Sequence, residues 1–162
     1  RVGTRFKVAC APITTTSGDN ISWVSEIRYL GVYSVAGCVL KFSVSKAKAA
    51  FNRAANGILS KVHNVASEEV VLHSLKVKCL PILLYCLHVC DLNRSAIASL
   101  DFCVMRFEFR IFKTGRRDIA LECLSFMGFS LPSVTLVQRS NVFLAMLPYV
   151  VNSFVQYVGV QF

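Results

Sequence analysis

The alternation of apolar and polar positions near the start of the chain is typical of β-strands. The alternating positions are Arg5, Phe6, Lys7, Val8, Ala9 and Cys10. A second stretch, residues 21–35, is rich in β-branched and aromatic side chains, as strands are. The polar and glycine-containing residues 14–20 between them are typical of a turn. The pattern therefore predicts a β-hairpin or a pair of short strands.

From about residue 43 the pattern changes to the period of an α-helix. Between residues 43 and 64 the apolar positions of one face are Phe51, Ala55, Ile58 and Val62. The positions of the opposite face are Lys46, Arg53, Lys61 and Asn64. This segment predicts an amphipathic helix with a basic outer stripe. Gly57 lies within that outer face and is its weakest point, because glycine lowers helix stability relative to alanine.

Further helical segments follow. Ser67 predicts a helix start, because a hydroxyl can cap free backbone amides, and the acidic residues Glu68 and Glu69 suit the positive end of the helix dipole. That helix is predicted to run to about residue 90, with a kink or break at Pro81, which lacks a backbone donor. A third helix is predicted for residues 95–113.

Gly115 stops the third helix, and residues 118–127 and 133–147 predict two more, separated by a turn at 128–132. The predicted fold class is α+β, mainly α, with a short N-terminal β-hairpin followed by a bundle of four or five helices. Residues 1–40 form the predicted β element and residues 41–162 the predicted helical region.

The amino-acid composition predicts a basic protein with a large apolar surface. The chain has 18 Lys and Arg against 9 Asp and Glu, which gives a formal net charge of +9. Such a balance favours polyanionic partners, nucleic acid first and anionic membrane second. Because 54% of the residues are hydrophobic and the mean hydropathy is +0.54, a large apolar face needs cover. Together with Arg1 as the first residue, this predicts a fragment of a longer protein.

Cysteine usage and apolar run lengths bear on the compartment. Seven cysteines without a CxxC pair or a secretory signal predict a reduced, intracellular environment. The apolar run at 79–87 is too short to span a membrane. The longer run at 142–162 is interrupted by Pro148, Asn152 and Gly159, so we expect no membrane partner.

The segment Ile21-Ser-Trp-Val-Ser-Glu-Ile-Arg-Tyr-Leu-Gly-Val32 resembles the end of the palm in LINE-type (non-LTR) retrotransposon reverse transcriptases, where a Tyr-Leu-Gly strand follows a turn of variable length. The segments that follow in the family's order are Ala47 to Asn56, Ala66-Ser-Glu-Glu-Val70, Lys78-Cys-Leu-Pro-Ile-Leu-Leu-Tyr85, Leu100-Asp-Phe102, Phe107, Ile111-Phe-Lys113 and Phe126-Met-Gly-Phe-Ser-Leu-Pro-Ser133. Family members usually carry glycine after Leu-Leu-Tyr, where this chain has Cys86.

The resemblance implies a role in positioning nucleic acid. Residues 1–40 would be the end of the palm with its primer grip, and 41–162 a thumb-like region. The implied contacts to an RNA/DNA primer-template are Arg28, Tyr29, Leu30 and Gly31 in the grip and Lys46, Arg53, Lys61 and Asn64 on the first helix. Other implied partners are the remaining palm and fingers of the parent polymerase, in the cytoplasm and nucleus.

No catalytic residue is predicted in this chain. Two-metal polymerisation needs carboxylates that bridge both ions, and the sequence has no Asp-Asp pair. We therefore expect no cofactor here, and Mg²⁺ in the parent polymerase. The alternative to nucleic-acid binding is a basic helical protein-interaction or membrane-associated module without catalytic activity.

Three further side-chain groups have less specific patterns. A second basic patch comprises Arg106, Arg110, Lys113, Arg116 and Arg117. Phe102 and Phe109 lie near it, where stacking on an unpaired base is an alternative to the more frequent core position. Cys79, Cys86 and Cys90 share a predicted helix face with leucines, which favours buried thiols over a metal site. The histidines are too scattered to predict a Cys-His hydrolase.

Overall fold

The computed structural model describes residues 2–62 and 65–147. Two hairpins form the β part. The strands β1 (Ile13–Thr14) and β2 (Asn20–Ile21) pair antiparallel. The strands β3 (Glu26–Tyr29), β4 (Val32–Val35) and β5 (Lys41–Ser43) form a second antiparallel sheet in that order. The predicted short N-terminal hairpin is therefore present, with a three-stranded sheet after it.

Helices make up the rest of the described chain. The α-helices are α1 (Ser45–Val62), α2 (Glu68–Ser74), α3 (Leu80–Leu84), α4 (Arg94–Ile111), α5 (Arg117–Phe126) and α6 (Pro132–Met146). A π-helical turn (Leu75–Cys79) joins α2 to α3, and a 3₁₀ turn (Leu87–Val89) follows α3. With α2 and α3 taken as one interrupted helix, the described residues contain five helices, and the predicted mainly helical α+β class is confirmed.

The strand predicted for residues 5–10 is wrong. Here the amide of Phe6 donates to the carbonyl of Gly3 at 3.0 Å and that of Val8 to Arg5 at 3.1 Å. These bonds form successive tight turns, which give the backbone local partners in place of a neighbouring strand. The turn predicted at 14–20 is confirmed, with Thr15 and Asp19 bonded across it and Gly18 at φ +90°.

The helix is interrupted next to Pro81, as predicted. The interruption is the π turn directly before α3, and the chain stays helical through it, so the pattern of backbone hydrogen bonds changes where the proline lacks a donor. The chain leaves the helix at Tyr85, with ψ at 122°, and Cys86 adopts a left-handed conformation at φ +55°. A continuous helix to residue 90 is therefore excluded.

Helix starts follow the sequence, with one difference in mechanism. Ser67 takes the extended conformation of an N-cap before α2, but its side chain makes no capping hydrogen bond. Glu68 and Glu69 instead supply negative charge to the first turn. By contrast, Asn93 Oδ1 accepts a 2.7 Å bond from the amide of Ala96 and caps α4.

The core lies between α1, the interrupted helix and α4. Helix α1 is continuous through Gly57, which is exposed, and buries Phe51, Ala55 and Leu59. The predicted apolar face is thus shifted slightly, because Ile58 is only half-buried. Phe51 meets Phe107 of α4 edge to face, with ring centroids 5.4 Å apart, a favourable aromatic geometry that fixes α1 against α4.

Candidate nucleic-acid interface

A two-residue turn joins β3 to β4 and forms the tip of the second hairpin. Tyr29 pairs with Val32 across it, and Leu30 and Gly31 both have positive φ, +46° and +87°. This is the turn geometry that matches the right-handed twist of paired strands. Leucine in a left-handed conformation costs about 1 kcal/mol. Tyr29 and Leu30 are 71% and 73% exposed, so the tip projects two apolar side chains into solvent.

The pleat of the sheet sends neighbouring side chains in opposite directions. Arg28 is paired with Tyr33, and Tyr33 with Ser43, so these three share one face. That face turns towards α1, because all three line a cleft with residues of that helix. Ile27 and Tyr29 lie on the other face. The strand period therefore separates Arg28 from Tyr29, although the two are adjacent in sequence.

The cleft between the hairpin and α1 has a volume of about 440 Å³. Arg28 and Gly31 line it from the hairpin, and Lys46 and Arg53 from α1. None of its lining residues is acidic. The Lys46 ammonium also lies over the Tyr33 ring, 6.0 Å from its centroid, within the range of a cation–π contact. The cleft thus gathers three cations with no carboxylate to neutralise them.

The structure therefore brings together four of the eight residues predicted to contact nucleic acid. Tyr29 and Leu30 line a separate, mainly apolar cavity of about 510 Å³ on the opposite face of the sheet. Lys61 is exposed in the last turn of α1, about 12 Å along the helix axis from Arg53. Asn64 lies outside the described residues.

Tyr85 completes the cleft and was not among the predicted site residues. A Cβ added at Gly31 would lie 2.8 Å from Tyr85 Cε1, so a larger residue there would have to displace the tyrosine ring. The absence of a side chain at Gly31 therefore lets the tyrosine ring rest directly on the hairpin tip. Tyr85 follows α3, which packs on α1, so its ring links the hairpin to the helices. Its place in the Leu-Leu-Tyr segment was the only sequence signal for it.

The second basic patch borders a seam of side-chain hydrogen bonds between α1 and α4. Lys48 Nζ donates to Ser99 Oγ at 3.2 Å, and Cys103 Sγ to Asn52 Oδ1 at 3.2 Å. Arg110 donates to Asn56 Oδ1 at 2.9 Å. The Asn52 and Asn56 side chains therefore serve as acceptors within the seam.

The other members of the patch differ in their surroundings. Arg116 forms a 2.6 Å ion pair with Asp118, which reduces the charge it offers to a ligand. Phe102 is 62% exposed, so the expectation that it belongs to the core is wrong. Its position on α4 faces away from the packed helices. Phe109 is half-buried and packs against the core, as expected.

The cysteines predicted to share a helix face are separated by the break after α3. Cys79 is buried in the π turn, the backbone of Cys86 is in the left-handed conformation, and Cys90 follows the 3₁₀ turn. Burial raises the pKa of the Cys79, Cys90 and Cys103 thiols, which disfavours the nucleophilic thiolate. Within residues 2–62 and 65–147, no group of three or more Cys, His, Asp or Glu side chains is arranged to hold a metal ion.

Comparison with known proteins adds no relative. The chain matches no protein-family model, no curated protein and no solved structure. The similarity of its segments to non-LTR reverse transcriptases therefore stays a prediction. Among the helices of the described part of the chain, none has the length and apolar character required to cross a membrane.

Proposed function

We propose that the chain positions an RNA/DNA primer-template as the end-of-palm and thumb region of a non-LTR retrotransposon reverse transcriptase. The observation that carries the proposal is the cleft in which Arg28 and Gly31 of the hairpin meet Lys46 and Arg53 of α1. These residues belong to two segments that the family resemblance assigns separately to nucleic-acid contact. Their convergence on one acid-free cleft is what a phosphate-binding role requires.

The left-handed Cys86 gives further support to the resemblance. Its φ of +55° belongs to a region that glycine enters without steric cost and that other residues rarely adopt. Family members usually carry glycine after the Leu-Leu-Tyr segment, at this position. The backbone conformation of this chain therefore suits the residue that the family pattern expects there.

The exposed apolar tip of the hairpin supports the other proposed partners. Tyr29 and Leu30 line an apolar cavity with Ile27 and Phe42 on the outer face of the sheet. Such a surface suits contact with a neighbouring domain, and in this proposal the neighbour is the remaining palm and fingers. The Mg²⁺ ions and their carboxylates belong to that part of the polymerase, and the complex acts in the cytoplasm and nucleus.

Salt-dependent binding tests the proposal. The purified chain is titrated against a labelled RNA/DNA primer-template between 50 and 300 mM salt, beside an Arg28/Lys46/Arg53→Ala variant. Each lost phosphate contact lowers the slope of log K against log salt by about 0.7 to 0.9. We therefore expect the slope of the variant to be smaller by about 2 to 3, with its far-UV circular dichroism unchanged.

A matched control separates the cleft from the general charge of the protein. The Lys7/Lys78/Arg139→Ala variant removes the same number of exposed cations at positions that neither line the cleft nor belong to the second basic patch. Its slope should stay close to that of the parent. The proposal would be contradicted if the slope decreased equally in the two variants, or if the folded parent chain did not bind the primer-template.

A further inference from the structure

The three-stranded sheet has one unprotected edge. In the strand order β3-β4-β5, both β3 and β5 are outer strands. β5 carries Lys41 and leads directly into α1, whereas β3 has neither lysine nor proline and is exposed along its whole length. No strand within residues 2–62 and 65–147 pairs with the outer side of β3. Natural proteins usually block such an edge, because it can accept another strand.

The pairing with β4 fixes which backbone groups point outwards. The two-residue turn makes Tyr29 and Val32 a hydrogen-bonded pair, and the amide of Ala36 donates to Ser25 at 2.8 Å. Hydrogen-bonded and non-hydrogen-bonded pairs alternate in an antiparallel ladder. The N–H and C=O groups of Glu26 and Arg28 therefore point away from β4, towards the open edge.

When two β3 strands pair antiparallel, only one register places residues of opposite charge directly across from each other. An antiparallel, two-fold symmetric pair must join outward-pointing residues to each other. A pair centred on residue 26 or on residue 28 would place Glu26 opposite Glu26 or Arg28 opposite Arg28 of the second copy. A pair centred on Ile27 places Glu26 of each copy opposite Arg28 of the other. This register forms two charge pairs and avoids both repulsions.

We propose that two copies of this chain associate through β3 in the register centred on Ile27, which joins their sheets into one of six strands. Neither Glu26 nor Arg28 forms an ion pair within its own chain, because among the described residues the ion pair within 4.0 Å is Arg116–Asp118. The two Ile27 residues form a non-hydrogen-bonded pair, in which Cα atoms approach to about 4.5 Å.

The same register aligns the apolar outer faces of the two sheets. Ile27 and Tyr29 lie on the face opposite the cleft, and antiparallel partners directly opposite each other point to the same side. The dimer therefore places two exposed apolar surfaces next to each other. This association does not depend on nucleic-acid binding, although Arg28 takes part in both.

Charge reversal and complementation test the register. Sedimentation equilibrium without nucleic acid measures the dimer dissociation constant of the parent, the Glu26→Arg variant and the Arg28→Glu variant. Each single variant turns two attractive pairs into two repulsive ones, and we expect its dimerisation to weaken by at least about tenfold. In an equimolar mixture of the two variants, every cross-strand pair is again of opposite charge, so dimers should return.

The control is Glu122→Arg, which makes the same charge change at an exposed position of α5 and should leave the dissociation constant unchanged. The double variant Glu26→Arg/Arg28→Glu should dimerise as the parent does, because it exchanges the two charges. The proposal would be overturned if the parent were monomeric at all concentrations, or if neither single variant changed the dimer dissociation constant. A mixture of the two variants that stayed monomeric would also overturn it.

Discussion

Within residues 2–62 and 65–147, Glu108 is the one carboxyl group that the fold buries completely. It lies on α4 with 0% of its surface exposed, and neither carboxylate oxygen has a hydrogen-bond partner. Burial of the charged form without compensation is costly. The pKa of Glu108 is accordingly raised from 4.5 to about 8 by burial. We predict that this one group makes the folding stability of the protein strongly dependent on pH.

The direction of the effect follows from the order of the two pKa values. The unfolded chain loses the Glu108 proton near pH 4.5, whereas the folded chain holds it to about pH 8. Glu108 therefore leaves the free energy of unfolding at its highest value below pH 4.5. That free energy falls as the pH rises towards 8, because the folded state then has to release the proton. At about 1.4 kcal/mol per pH unit, the loss reaches about 3 kcal/mol at pH 7 and at most roughly 5 kcal/mol above pH 8.

The variant Glu108→Gln keeps the shape of the side chain and removes its titration. Urea unfolding from pH 4 to pH 8.5 gives the free energy of unfolding of both proteins. We expect similar values near pH 4.5 and a variant that is more stable than the parent by about 3 kcal/mol at pH 7. Glu122→Gln, at an exposed position of α5, should follow the parent throughout. Parallel curves for the parent and Glu108→Gln would refute the reasoning.

Three local substitutions test the turn, the break and the cap by urea unfolding. Gly31→Ala should destabilise the protein by about 2 kcal/mol, because it strains a positive φ and meets Tyr85 at 2.8 Å; Tyr85→Ala should remove part of that cost. Cys86→Gly should stabilise it by about 1 kcal/mol by relieving a left-handed residue, and a loss would contradict this account. Asn93→Ala should cost about 1 kcal/mol through the lost bond to Ala96, whereas Ser67→Ala, without such a bond, should cost less.

Helices were predictable from the sequence because their signals are local. The spacing of Phe51 and Ala55 identifies the buried face of α1, and Pro81 marks the break after α2. The alternation at residues 5–10 has the same local form as a strand, but a strand also needs a partner. No partner follows from alternation alone, and these residues form turns instead.

The candidate site depended on contacts between distant parts of the chain. The basic stripe predicted Lys46 and Arg53, but only the fold places them across a cleft from Arg28. Tyr85 enters the cleft because the helix breaks beside it, 54 residues after Gly31 in a chain of 162. The burial of Glu108 could not be predicted from the sequence either, because a glutamate in a helix is normally expected on the solvated face.

The hydrogen-bonded seam between α1 and α4 also fixes the relative direction of the two helices. Its bonds join Lys48 to Ser99 near both N-termini and Asn56 to Arg110 further along both helices, so α1 and α4 run parallel. Their macrodipoles therefore point the same way, and two N-terminal partial charges of about +0.5 each lie at one end of the molecule. That end carries Lys46, so the backbone itself adds positive potential on the side of the cleft.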